Sequence, residues 1–187
     1  MPELTVPTEL GDGVVTLRGW RADDVPWLVE ACQDPEIPRW TVVPSPYSEA
    51  DARAFVAMQS DRRSAGEAAP FAIASGDDDS PLGSIEITMH DWRSGRGEVG
   101  YWIAAPARRR GVAMRALALV VRWGFETLDL GRLELLAEPE NEASQRLAER
   151  AGFTREGVLR SYRVMKGRRV DFVVFSLLPS DPQPVVE

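Results

Sequence analysis

Thiol, imidazole and ammonium groups are all scarce in this chain, whose 187 residues include one cysteine (Cys32), one histidine (His90) and one lysine (Lys166). A single cysteine excludes a disulfide framework and most thiolate metal sites. A single histidine all but excludes a histidine-based triad or a histidine-rich metal centre, so no metal is expected. No apolar run approaches the ~20 residues that span a bilayer, and the start lacks the basic-then-apolar pattern of a signal peptide. A cytoplasmic protein without a membrane partner is therefore expected. The formal net charge of −7 argues against nucleic acid as the main partner. With one lysine among 22 basic residues, the chain uses arginine wherever it needs a cation, as GC-rich bacterial coding favours. The length suits one domain with a real core, expected over residues 10–178, with 179–187 as a disordered tail.

Along its length the chain alternates between strand and helix patterns. A short strand is read at residues 14–20, and a helix at 22–33 begins with Asp23 and Asp24 and stops before Asp34-Pro35. A proline-rich loop with Trp40 and Tyr47 follows. Ser48-Glu49-Ala50-Asp51 resembles a capping box and opens a helix to about Ser64. Strands at 71–75 and 82–90, joined by the acidic turn 76–81, lead through a second turn at 93–97 into a strand at 98–103. A helix at 112–128 is apolar nearly all round, with Arg115, Arg122 and Glu126 as its narrow polar stripe. A buried strand at 132–137 precedes a helix at 142–151, with Asn141 at its N-cap and Gly152 at its end. Strands at 153–160 and 170–178 close a mixed α/β layer.

The segment Arg108-Arg109-Arg110-Gly111-Val112-Ala113 joins the 98–103 strand to the long apolar helix. A small-residue loop feeding a helix N-terminus aims several unpaired backbone N–H groups at one point. The helix dipole adds positive potential, which makes the loop a phosphate site in waiting. Downstream stand Pro139-Glu140-Asn141-Glu142-Ala143-Ser144 and Glu149-Arg150-Ala151-Gly152-Phe153. Together with Glu98-Val99-Gly100-Tyr101-Trp102 ahead of the loop, these motifs resemble the GCN5-related N-acetyltransferases. Within them the chain is most similar to the RimJ/RimL branch, which acetylates N-terminal amines of ribosomal proteins. The likeness covers roughly residues 82–178, with 10–64 fitting the variable acceptor-binding part more loosely.

What the resemblance implies is acetyl-CoA as cosubstrate and direct transfer of its acetyl group to a primary amine, on a peptide N-terminus or a small molecule. It also implies a mostly antiparallel sheet of about seven strands, splayed between the fourth and fifth and flanked by about four helices. The protein is expected as a monomer or homodimer. Two alternatives stay open: a small-molecule amine acetyltransferase, or a non-catalytic acyl-CoA-binding regulatory domain. A plain Mg-nucleotide binder is disfavoured because the loop lacks a Gly-Lys-Ser/Thr ending.

The chemistry needs a base for the amine, because a primary amine near pKa ~10 is mostly charged at neutral pH. Glu98, on the strand leading to the loop, is the first candidate, and Glu86 is the second. Glu86 alternates with Ile85 and Ile87 and so faces away from them. The leaving thiolate needs a proton. The tyrosine that many superfamily members supply falls here on Ala148, whereas the serine of the RimL type falls on Ser144, in the first turn of a helix. For the cofactor, the resemblance assigns Trp102, Ile103 and Ala104 to the pantetheine. It assigns Arg108, Arg109, Arg110, Gly111, Val112 and Ala113 to the phosphates, with Asn141 and Ser144 at the arm. Trp40, Tyr47, Tyr162 and Arg163 are candidates for the acceptor side. Arg163 is a departure, since the RimL type places a glutamate there. His90 is read as a strand-end residue and Cys32 as a small buried hydrophobe.

Overall fold

The computed structural model describes residues 9–185; residues 1–8 and the last two residues of the expected tail lie outside it. Eight strands form one sheet in the order β1-β2-β3-β4-β5-β6-β8-β7. They are β1 (Glu9–Gly11), β2 (Val15–Arg18), β3 (Ala68–Ser75), β4 (Pro81–Asp91), β5 (Arg96–Ile103), β6 (Arg132–Ala137), β7 (Thr154–Met165) and β8 (Arg168–Leu177). Every neighbouring pair is antiparallel except β5 and β6. Five helices flank the sheet: α1 (Val25–Ala31), α2 (Glu36–Trp40), α3 (Glu49–Ser64), α4 (Val112–Glu126) and α5 (Glu142–Arg150). The mixed, mostly antiparallel sheet follows the expectation; the described residues hold one strand and one helix more than foreseen. The splay falls between the fifth and sixth strands rather than the fourth and fifth, the short edge strand β1 shifting the count by one.

The sheet separates two apolar layers. On one face α4 presents Val112, Ala116, Leu117, Val120, Val121 and Trp123 to Ile85, Ile87, Val99 and Leu133. Arg122 and Glu126 remain exposed on its far side, while Arg115, the third residue of the expected stripe, is half-buried and paired with Asp12 at 2.8 Å. On the other face Val25, Leu28, Cys32, Ile37, Tyr47 and Ala52 pack with Trp27, Phe55 and Trp102. Burial there pushes the Cys32 thiol up to about 12, leaving it an inert packing group.

Local chemistry explains most boundaries. The Ser48 side chain accepts the Asp51 N–H, and the Asp51 side chain accepts the Ser48 N–H, closing the capping box that starts α3. α2 lies inside the proline-rich loop, where Pro38 falls in a first turn that needs no N–H from it. The stretch after Arg160, read from sequence as a loop, is strand. β7 and β8 continue to a two-residue turn at Lys166 and Gly167, both at positive φ (48° and 79°), the geometry of a tight hairpin. A register shift between Leu159 and Arg163, with Ser161 at φ 55°, kinks β7 on the way.

One buried ion pair fixes the start of the domain. Arg18 on β2 donates to both oxygens of Asp24, at 2.8 and 2.9 Å, and to Asp79 at 2.7 Å. Both Arg18 and Asp24 are buried. Removing one partner of such a pair strands the other charge, which costs about 3–5 kcal/mol. Asp24→Ala is expected to lose about 3 kcal/mol in urea unfolding, the lower end of that range, because Asp79 still holds Arg18.

Candidate active site

The site begins where β5 and β6 part. The two strands pair in parallel only over residues 96–98 with 132–134. Past Glu98, β5 stays paired with β4 as far as Ile103, while β6 stays paired with β8 as far as Ala137. Between these diverging arms lies a V-shaped notch, and the β5 backbone from Val99 to Ile103 has no strand on that side.

At its far end β5 runs through a single 3-10 turn, Ala105–Ala107, into the arginine loop and α4. Gly111 is the N-cap of α4 at φ 79°, a conformation that glycine adopts without strain. A Cβ built on Gly111 finds nothing within 4 Å, so the approach to the helix end is open. The first α-type bond into the helix is Arg115 N–H to Gly111 C=O at 3.1 Å. The amides ahead of it, through Met114, have no intrahelical acceptor. Arg109 and Arg110 are exposed and form no ion pair among the described residues. Arg108 is committed elsewhere: its Nε donates to the Ile103 carbonyl at 2.9 Å and its guanidinium meets Asp34 at 2.5 Å. That brace ties the loop to the end of α1 and occupies a carbonyl assigned to the pantetheine. The Ala104 N–H is likewise used, donating to Leu82. A cavity of about 220 Å³ adjoins the loop, lined by Trp27, Glu30, Asp34, Ala104 and Arg110 among others. Trp102 closes the α1 face by stacking on Trp27 at 5.9 Å.

Asn141 and Ser144 stand at the start of α5, on the other arm of the notch. The Asn141 Oδ1 accepts the Ser144 N–H at 3.2 Å, the N-cap read from sequence. The Ser144 Oγ accepts a hydrogen bond from the Tyr101 phenol at 3.1 Å. That phenol is partly buried; burial pushes its pKa up, while the bond to Ser144 pulls the other way. Tyr101 lies within the Glu98–Trp102 motif, where the sequence by itself assigns it no role. The signal was there in the alternation of β5, which sets Val99, Tyr101 and Ile103 on the face opposite Glu98 and Trp102.

The two carboxylates chosen as bases are both engaged. Glu86 accepts from Arg62 of α3 at 2.7 and 3.1 Å and from the Thr88 hydroxyl at 3.1 Å, so it lies under α3 rather than in the open. Glu98 is held by Arg163: Nη1 donates to Oε1 at 2.9 Å, and Nη2 donates to Oε2. The second oxygen also meets His90 Nε2 at 2.8 Å. Burial works against the Arg163 charge, but the hydrogen bond and charge of Glu98, together with the Tyr162 hydroxyl, outweigh it and leave its pKa above the ordinary guanidinium value. The Arg163 guanidinium also lies over the Tyr162 and Phe172 rings, at 5.3 and 5.7 Å. Glu98 and Arg163 are thus one ion pair, and His90, at the end of β4 as expected, hydrogen-bonds its carboxylate.

The remaining acceptor candidates divide. Tyr162 is half exposed beside Arg163. Trp40 sits on α2, under Arg39 at 4.4 Å and bonded to Glu36. The same helix is joined to the β7–β8 hairpin by Lys166 Nζ donating to the Pro38 carbonyl. Tyr47 is buried in the apolar layer of α1 and α3 at 7% exposure, with its phenol pushed up to about 12 by burial. Its place is in packing, away from any open wall. No cluster of three metal-ligating side chains occurs among the described residues, and no helix among them is long and apolar enough to cross a membrane.

With this geometry in hand, comparison with known proteins is specific. Residues 15–154 match the acetyltransferase (GNAT) domain family. The chain is 33% identical over 165 residues to the uncharacterized N-acetyltransferase p20 of Bacillus licheniformis, covering 88% of this chain and 92% of that one. A candidate ribosomal-protein-serine acetyltransferase of Vibrio cholerae superposes with a TM-score of 0.81 at 27% identity, over 91% of this chain and 97% of the other. RimJ of Mycobacterium smegmatis, solved in complex with CoA-disulfide, shares the fold with a TM-score of 0.82 at 23% identity, over 92% and 88% of the two chains.

Proposed function

Because the chain belongs to the GNAT acetyltransferase family, we propose that it moves the acetyl group of acetyl-CoA directly to a primary amine, both bound at once. The observation that carries this reading is the notch between β5 and β6 ending at the free amides of α4. The residues suit the cosubstrate. Open space at Gly111, unpaired amides and two exposed arginines are what a pyrophosphate needs, and the unpaired β5 edge offers donors and acceptors to an amide-bearing arm. Arg109, Arg110 and the amides of residues 111–114 would hold the phosphates, with Asn141 and Ser144 at the far end of the arm. When bound, the thioester supplies an activated acetyl carbon and a thiolate leaving group.

On the acceptor side, the Glu98–Arg163 pair is complementary to a zwitterion. A carboxylate on the acceptor takes Arg163 in a bidentate fork, and that exchange frees Glu98 to receive the amine and its proton. The acceptor class is accordingly an amine with its own acidic group nearby, on a free amino acid or a peptide N-terminus of the ribosomal-protein kind. The substitution of arginine for the glutamate of the RimL type is the reason to favour acidic acceptors.

The test is a panel of acidic, neutral and basic amines and N-terminal peptides, scored by release of CoA thiol. Glu98→Gln is expected to lower kcat/KM by about 10²-fold, as loss of a positioned base does, and to remove the acidic limb of its pH profile. Arg163→Glu is expected to abolish the preference for acidic acceptors and raise activity towards basic ones. A wild-type acceptor preference retained by Arg163→Glu would take Arg163 out of the site. An unchanged pH profile in Glu98→Gln would move the base elsewhere.

A further inference from the structure

The hydrogen bond from Tyr101 to Ser144 crosses the notch, joining the β5 arm to the helix that follows the β6 arm. A serine hydroxyl has one proton to give and two lone pairs. Here one lone pair is filled by the Tyr101 phenol, and the serine backbone is pinned by Asn141. The Ser144 proton has no protein acceptor among the described residues.

We infer that Tyr101 is a positioning residue for acetyl transfer: its phenol turns the Ser144 hydroxyl so that the serine proton points into the notch. This rests on the acetyl-transfer reading with Ser144 as the acid. The competing state is specific. A serine readily donates back to the carbonyl three or four residues before it, here that of Asn141 or Glu140 at the start of α5, which would take its proton out of the notch. A phenol donating to Oγ from across the notch disfavours that rotamer. Burial keeps the phenol protonated, so Tyr101 stays a donor to Ser144 rather than a relay that loses its own proton. In the step itself, the amine nitrogen bonds to the acetyl carbon and the carbon–sulfur bond breaks. With the ammonium proton already on Glu98, the sulfur takes the Ser144 Oγ proton, and the second proton shed by the nitrogen returns to Ser144 through water, giving amide and free CoA thiol.

Tyr101→Phe deletes one oxygen and keeps the ring. It is expected to lower kcat by about 10–100-fold, part of the 10²–10⁴-fold worth of a positioned acid, with KM for acetyl-CoA unchanged. In a Ser144→Ala background the same change is expected to have no further effect on kcat, because the group being positioned is gone. A second readout needs no acceptor. The thiol of bound CoA, titrated by its thiolate absorbance, is expected to ionise at lower pH in the wild type than in Tyr101→Phe. If Ser144→Ala is slow but Tyr101→Phe turns over at the wild-type rate, the positioning role alone is overturned. If Ser144→Ala is itself silent, the acid assignment falls and the positioning role with it. Additive losses in the double variant, or a loss of acetyl-CoA affinity matching the loss of kcat, also overturn the role.

Discussion

A folded Gly111→Asp protein is expected to bind acetyl-CoA at least ~100-fold more weakly than wild type, about 2.8 kcal/mol at 1.4 kcal/mol per tenfold. The change places a carboxylate at the mouth of the free amides of α4, where the positive helix end and the exposed Arg109 and Arg110 otherwise meet an anion. Folding is not the obstacle. The site is open for 4 Å around the new Cβ, and aspartate is among the few side chains that tolerate the left-handed backbone at φ 79°. Gly111→Asn has nearly the same shape without the charge, so the difference between the two variants isolates the electrostatic part. Calorimetry on both, in low and high salt, reads it directly. Equal affinity of Gly111→Asp and wild type would remove the phosphates from this loop.

Ser144→Ala is expected to lower kcat by about 10²–10⁴-fold while acetyl-CoA affinity changes only a few-fold. The N-cap of α5 survives, because Asn141 bonds the backbone N–H of residue 144 and not its hydroxyl. What the variant does lose is the acceptor of a partly buried phenol, which costs at most the low end of the about 1–3 kcal/mol that a fully buried unsatisfied donor does. Rates therefore have to be compared well below the lowered melting temperature. A variant that turns over at the wild-type rate would make Ser144 structural and leave thiolate protonation to water.

How far the sequence carried this account depended on whether the deciding contact was local. The capping box at Ser48 and Asp51, the N-cap at Asn141 and the polar stripe of α4 are all set by residues within a turn or two of each other. They stood where the spacing put them. The same holds for the facing of Glu86 away from Ile85 and Ile87. Residues 161–169 were read as loop because their charged side chains, exposed on both faces of an edge hairpin, leave no alternation to see. α2 was hidden by prolines that a first helical turn accommodates. β1 is three residues long, too short for any period.

The candidate site divides along the same line. The anion loop was legible, because its glycine, its arginines and its helix are contiguous. Its inner wiring was not: Arg108 turns back on Ile103 and Asp34 rather than outward. Glu98 and Arg163 were each noticed, but their pairing joins residues 65 apart, and only the sheet order reveals it. Tyr101 and Ser144 meet across the notch for the same reason, 43 residues apart. Long-range pairing of side chains is decided by topology, which composition and period do not carry.

The central claim is direct acetyl transfer to an amine, and one measurement meets it squarely: incubation of the wild-type protein with acetyl-CoA and the panel of free and N-terminal amines, following CoA thiol release and the mass of each acceptor. The account predicts amine-dependent release of thiol, one acetyl group gained per acceptor, and the highest kcat/KM for amines that carry a nearby carboxylate. Tight binding of acetyl-CoA with no thiol released above the hydrolysis background for any amine would contradict it, and would leave the notch as a binding site without chemistry.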